Sequence, residues 1–241
     1  MMIDRAMILA AGFGKRMRPL TETTPKPLIP VCGKPMLDWA LERLAAEGVA
    51  RVVVNAHHLA GRIEAHLAGR AGVAVSLEPE ILETGGGVKR ALPLLTEGAP
   101  DAPFFVINGD AVWLDGERPA LARLAAAWDA DRMDALLLLQ PTAAADGYDG
   151  PGDYHRAADG LARRRGPEER ARYLFAGIQV LHPRLFAGTP EGPFSLNRLY
   201  DAAEAAGRLA ALVHDGRWFH VGTPEALAAA EAEIRRIDSG S

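Results

Sequence analysis

Apolar residues follow two alternating rhythms over the first 140 positions. Short unbroken runs, AMILAA (6–11), RVVVNA (51–56), VAVSLE (73–78), PFFVING (103–109) and DALLLLQ (134–140), are bounded by turn residues. Between them, apolar residues return every three or four positions. Met36, Leu37, Ala40, Leu41 and Leu44 share one face of 36–47, which Gly48 ends. Ile63 and Leu67 do the same in 61–69, and Leu121, Leu124 and Trp128 in 119–132; ETGGG (83–87) opens a further helix at 88–95. Continuous apolar runs predict strands covered on both faces, and the helical spacing predicts what covers them. Their alternation predicts an α/β fold with a mainly parallel sheet flanked by helices.

Past residue 141 the rhythm changes. DYHRAADGLARRR (153–165) reads as a hairpin turning at Ala-Asp-Gly, and RYLFAGIQVLHP (172–183) as a long strand. A helix at 194–207 and strands at 211–215 and 217–221 follow. A closing helix over 223–237 is signalled by Thr223 as N-cap, Pro224 at the first position and Glu225 in the first turn. AAADGYDGPG (143–152) is the candidate mobile loop or lobe boundary, and the final DSGS reads as a frayed tail. One domain over 1–241 is expected: a core to residue 140 and a smaller β-rich portion with the closing helix over 141–241.

Composition narrows the partners. Of 241 residues 49% are apolar, enough for a large core, and with a net charge of −4 no bulk electrostatic argument favours nucleic acid or an anionic membrane as partner. No apolar run approaches the roughly 20 residues that span a bilayer. The N-terminal apolar stretch is too short for a signal peptide and contains Asp4. Cys32 is the sole cysteine, so no internal disulfide framework exists. A cytoplasmic protein acting on small molecules, as a monomer or weak homodimer, is expected.

In open parallel sheets, ligands bind beyond the carboxyl ends of the strands. Three segments leave predicted strands there: 10–18, 83–87 and 108–110. In LAAGFGKRMRPLTETTPKPLIPV (9–31), Gly12 and Gly14 let backbone N–H groups approach a ligand closely. Lys15, Arg16, Arg18 and the proline-braced Lys26 make that ligand an anion. A dinucleotide fingerprint would need a third glycine and an immediate helix; Met17 stands there instead, and Pro19, Pro25, Pro27 and Pro30 prevent the helix. The Gly-Lys-Ser/Thr of a P-loop is absent. Two readings remain: an extended loop wrapping a nucleoside triphosphate, with Arg16 and Lys26 on its phosphates, or a surface loop of solvated cations.

The elements G-x-G-x-R-x-x-P-L-T and P-K-P-L-x-P-V are followed in order by ETGGG, NGD (108–110), FAGIQVLHP (175–183) and VGT (221–223). This set resembles the sugar-1-phosphate nucleotidylyltransferases, most of all those that transfer uridylate to N-acetylmuramate 1-phosphate in cell-wall recycling. The resemblance implies a Rossmann-like fold with a sugar-binding second portion. It also implies attack of a sugar 1-phosphate on an NTP, with Mg2+, or Mn2+ in its place. The attacking oxygen is already anionic, so catalysis is expected from positioning and charge neutralisation rather than from a strong base.

Carried over residue by residue, the resemblance makes Arg16 and Lys26 catalytic. It assigns Ala11, Gly12, Gly14, Lys15, Arg16, Lys26, Glu83, Thr84, Gly85 and Asn108 to the nucleotide. Ala111, Gly152, Asp153 and Gly177 fall to the sugar, and Asp110 and His220 to the metal. His220 stands where the family commonly has aspartate. Its open roles are weak metal ligand, water-mediated partner, cation against phosphate, or structural histidine. Ala176 stands where close relatives are expected to carry serine. Residues 83–87 do not separate uracil from thymine or guanine. The alternatives are a guanylyltransferase acting on mannose 1-phosphate or a similar sugar, and a nucleotide-sugar-binding regulator without turnover.

Other polar clusters carry less. His57 and His58 alternate across a strand end and make a poor metal pair. Arg163, Arg164 and Arg165 read as a solvated hairpin arm, and Cys32 as a half-buried structural thiol. Ser195 lacks the setting of a hydrolase nucleophile.

Overall fold

The computed structural model describes residues 2–239. The first half runs β1 (Arg5–Leu9), β2 (Pro30–Val31), β3 (Lys34–Pro35), α1 (Met36–Ala46), β4 (Arg51–Ala56), α2 (Ala60–Leu67), β5 (Val73–Leu77), α3 (Glu83–Leu95), β6 (Phe104–Asn108), β7 (Val112–Leu114) and α4 (Ala120–Ala127). The second runs β8 (Ala135–Pro141), β9 (Ala145–Asp146), β10 (Tyr154–Arg156), β11 (Ala162–Arg164), β12 (Tyr173–Leu181), α5 (Asn197–Ala205), β13 (Leu209–Val213), β14 (Arg217–Phe219) and α6 (Pro224–Ser239).

The central sheet has the order β5–β4–β1–β6–β12–β8–β13, with the β10–β11 hairpin attached to the start of β12. Strand β12 is antiparallel to both β6 and β8, while the β1–β4, β1–β6, β4–β5 and β8–β13 pairs are parallel. The sheet is therefore mainly parallel, with one reversed strand in its middle. The period-two alternation of strand side chains divides the core into two layers. Ile8, Val54, Ile107 and Leu138 meet Leu37, Leu44, Ile63 and Leu124 from α1, α2 and α4. Their neighbours Met7, Val53, Val106 and Leu137 meet Val88, Leu95, Leu199 and Tyr200 from α3 and α5.

A second, three-stranded sheet has β14 in the middle, antiparallel to β7 and parallel to β9. Ala230 and Ile234 of α6 pack there with Val112, Phe219, Met17 and Val31. Arg217 ties this layer together, donating to Asp146 at 2.9 and 3.0 Å and to Glu233 at 2.8 Å. The 143–152 segment thus contributes β9 and an ion pair to the fold.

Several boundaries differ from the sequence reading; β13 begins at Leu209 and ends at Val213 rather than spanning 211–215, and α5 covers only Asn197–Ala205 of 194–207. Helix α3 starts at Glu83, so the glycine run forms its first turns rather than a loop before it. Helix α4 ends at Ala127, because the backbone of Trp128 turns extended and its ring is buried in the core. Helix α6 extends through Asp238 and Ser239, the first half of the expected frayed tail; Gly240 and Ser241 lie outside the described residues. At the start of α6, Thr223 Oγ1 accepts the Ala226 N–H at 3.2 Å, the side-chain cap expected there.

Candidate active site

The ends of β1, β4 and β6 converge on a cavity of about 480 Å3. The loop after β1 forms one wall. Gly14 adopts a left-handed conformation (φ 60°), after which Lys15–Met17 make a short 3-10 turn. The Met17 N–H donates to Gly14 O at 2.9 Å, and the Met17 side chain is fully buried as the loop's anchor. Thr21 Oγ1 donates to the same carbonyl at 3.0 Å. Lys15 and Arg16 are exposed and line the cavity beside Gly12 and Gly14.

A buried polar network fixes the start of this loop. Asn55, the polar residue near the end of β4, accepts the Ala10 N–H through Oδ1 at 2.6 Å. Its Nδ2 donates to Glu78 Oε1 at 2.6 Å, and Glu78 Oε2 accepts the Leu82 N–H at 3.0 Å. Gly87 of α3 passes so close that a Cβ there would lie 2.7 Å from Glu78 Oε1 and 2.8 Å from Asn55 Nδ2. Asn55 and Glu78 both line the cavity, and sequence reasoning passed over both. The available signal was a polar residue near the end of each apolar run, RVVVNA and VAVSLE.

Lys26 opens a 3-10 turn over Lys26–Leu28, between the buried rings of Pro25 and Pro27. Its Nζ donates to Asp110 Oδ2 at 2.5 Å. Asp110 follows the end of β6, where Asn108 also lines the cavity. A smaller space of about 60 Å3 adjoins, sharing Arg16, Lys26, Asn108 and Asp110 and adding Ala111, Gly177 and His220. The β14–β7 pairing sets Phe219 opposite Val112, which brings His220 to this place. The imidazole contacts the rings of Trp218 and Tyr148, with centroids 6.0 and 6.4 Å apart. Burial, reinforced by the Arg16 and Lys26 cations, holds its pKa below the usual histidine value. Among the described residues no group of three or more His, Cys, Asp or Glu side chains could hold a metal ion.

Cavity lining thus unites Ala11, Gly12, Gly14, Lys15, Arg16, Lys26, Glu83, Thr84, Asn108, Asp110, Ala111, Gly177 and His220. Gly85, Gly152 and Asp153 are absent from it. Gly85 is buried under Phe194, to whose carbonyl its N–H donates at 2.8 Å. The Gly152 N–H donates to Tyr148 Oη at 2.9 Å, and Asp153 Oδ2 accepts the Phe175 N–H at 2.8 Å. Phe175 borders the register shift in β12, so the Asp153 carboxylate satisfies an amide there. Glu83 has a left-handed backbone (φ 57°), unusual for a residue with a β-carbon.

The remaining candidates resolve structurally. Arg164 pairs with Asp201 at 3.0 Å and Arg163 with Glu169 at 3.0 Å, so this arm is charge-matched. The Cys32 N–H donates to Glu231 Oε1 at 2.7 Å, and burial pushes its thiol pKa up. His57 and His58 lie past the end of β4, where strand alternation no longer holds, and both face Phe13. Among the described residues, no helix is long and apolar enough to cross a membrane.

Residues 5–149 match the family model described as nucleotidyl transferase. The chain is 44% identical over 238 residues to the N-acetylmuramate alpha-1-phosphate uridylyltransferase of Caulobacter vibrioides, covering 95% of this chain and 96% of that one. It is 36% identical over 236 residues to the protein of the same name from Neisseria meningitidis serogroup B, covering 95% and 97%. The fold is shared with HddC from Yersinia pseudotuberculosis at a TM-score of 0.75 and 22% identity, covering 96% of this chain and 100% of that one.

Proposed function

The chain belongs to the nucleotidyl transferase family, and from that premise we propose that it makes a UDP-sugar in the cytoplasm from UTP and N-acetylmuramic acid α-1-phosphate, releasing pyrophosphate. End-to-end similarity to two uridylyltransferases of that specificity supports the substrate pair. The observation that carries the chemistry is the convergence of Arg16, Lys26 and Asp110 where the large cavity meets the small one. Two anions must approach each other there, and the site sets cations where they meet.

In the reaction, a phosphate oxygen of the sugar 1-phosphate attacks the α-phosphorus of UTP. The new P–O bond forms as the bond to the bridging α–β oxygen breaks, and pyrophosphate leaves with that electron pair. No proton needs to be removed from the nucleophile. Backbone N–H groups about Gly12 and Gly14 are the donors for the triphosphate, and Arg16 opposes the charge of its outer phosphates. Lys26 lies between the two spaces and is the group to screen the attacking phosphate from the one attacked. The large cavity, bounded by Asn55, Glu78, Glu83 and Thr84, has room for the nucleoside; the smaller one by Ala111, Gly177 and His220 opens toward the sugar.

Asp110 suits Mg2+, which takes one or two carboxylates and completes its shell with phosphate and water. Its carboxylate already holds one cation, the Lys26 ammonium at 2.5 Å. Mg2+ at this carboxylate would supply positive charge against the departing pyrophosphate. His220 adds no anionic oxygen; its neutral imidazole suits Mn2+ better than Mg2+. His220→Asp should therefore raise activity with Mg2+ relative to Mn2+.

Pyrophosphate release from the four common NTPs against a panel of sugar 1-phosphates tests the reading. UTP with N-acetylmuramic acid 1-phosphate should give the highest kcat/KM. Preference for GTP with mannose 1-phosphate would overturn the substrate assignment, and no release with any pair would overturn the enzyme.

A further inference from the structure

We propose that Phe13, His57 and His58 form a clamp that positions the phosphate loop before a nucleotide arrives, an inference that rests on the triphosphate reading of that loop. Phe13 sits between Gly12 and Gly14, and the residue remains 39% exposed. Its ring lies edge-on to His57, with centroids 5.7 Å apart at 84°, and tilted against His58 at 5.5 Å and 55°. Lys15 Nζ stands 5.5 Å from the centre of the same ring. An otherwise solvent-facing aromatic is thus held on three sides by polarisable or charged partners.

Each imidazole is itself fastened. His57 Nδ1 pairs with Glu78 O at 2.8 Å, and His58 Nε2 with Thr21 O at 3.0 Å. A carbonyl accepts only, so each of these nitrogens carries its proton and donates. Glu78 belongs to the far wall of the large cavity, while Thr21 donates Oγ1–H to Gly14 O at 3.0 Å. The two histidines therefore tie Phe13 to the nucleoside wall on one side and to the loop's own return on the other. Leu59 turns the chain into α2 directly after them, with φ 53°.

The benefit is pre-organisation. Two glycines make a free loop conformationally costly to order. Holding the intervening residue removes part of that cost before binding and keeps Lys15 and Arg16 at the cavity edge. Phe13, His57 and His58 are positioning residues: their assigned contacts are with the loop and its supports, not with reacting atoms.

The test combines kinetics with limited trypsin digestion of the whole chain, since Lys15 and Arg16 are the exposed cleavage points in the loop. Phe13→Ala should raise the KM for UTP by about tenfold, from the loss of two ring contacts, and leave the KM for the sugar 1-phosphate unchanged. It should also speed cleavage after Lys15 and Arg16 without nucleotide. Phe13→Tyr should restore both readouts, and Phe13→Leu neither, because leucine keeps bulk but loses the ring. Unaltered KM and cleavage in Phe13→Ala, or equal rescue by leucine, would overturn the clamp. If the wild type releases no pyrophosphate, the functional reading fails, and the digestion series still decides the clamp alone.

Discussion

Asn55→Ala removes a side chain that holds two walls of the cavity together. Asn55 is 2% exposed and makes one hydrogen bond to a backbone amide and one to a carboxylate, each 2.6 Å long. Alanine leaves the Ala10 N–H without its acceptor, at a cost of about 1–3 kcal/mol. It also strips Glu78 of a charge-assisted donor, worth about 1.5–3 kcal/mol. Glu78 borders the open cavity, so water can replace that donor and the total should fall near about 3 kcal/mol. Against a typical domain stability of about 5–15 kcal/mol this is a large fraction. Urea unfolding followed by tryptophan fluorescence reads it as a lower midpoint at unchanged slope. A double-mutant cycle with Glu78→Ala should show coupling, because either single change already breaks the shared bond. A loss below about 1 kcal/mol, or strict additivity in the cycle, would refute the claim that this pair braces the site.

Lys26→Ala should leave the unfolding midpoint near wild type while pyrophosphate release falls by about 10²–10³-fold; retained turnover would remove Lys26 from the mechanism. Glu83→Gly relieves a left-handed backbone and should raise stability by about 1 kcal/mol, or roughly 2–4 °C in Tm. A calorimetric scan showing destabilisation would mean that the Glu83 side chain contributes more than its strain costs. Burial alone would raise the pKa of Asp134, but hydrogen bonds from Arg208 and Arg184 outweigh it and hold it below the ordinary 3.8. Its stabilisation is therefore present above that value and lost as pH falls through the lower, folded-state pKa. Asp134→Asn should be less stable than wild type at neutral pH, and thermal scans toward strong acid should show the gap closing.

The sheet was largely legible because its strands are unbroken apolar runs and its helices keep a clear 3.6-residue period. The run 51–56 matches β4 to the residue. What stayed hidden depends on long-range pairing. Nothing local marks β12 as running against its neighbours β6 and β8, and VWL at 112–114 is too short to stand out before β14 pairs with it. The glycine run at 85–87 reads as a loop because glycine is a poor helix former. In the structure it is helical, and glycine is needed there because Phe194, Gly192 and the Asn55–Glu78 pair press so closely that side chains would collide. Within the site, exposed cations and strand-end acids were legible from residue type. Asn55 and Glu78 were passed over although each is the polar residue near the end of an apolar run, since residue type alone does not tell a buried hydrogen-bonding role from a turn.

The small sheet around β14 also fixes when the protein can work. Its middle strand lies about a hundred residues downstream of β7, and it alone sets His220 beside Asp110. During synthesis the loop after β1, Lys26 and Asp110 leave the ribosome long before that strand does. The pocket's final border is thus in place only once nearly the whole polypeptide has been made, and a chain cut short before residue 217 would carry the cations without the compartment that puts them to use.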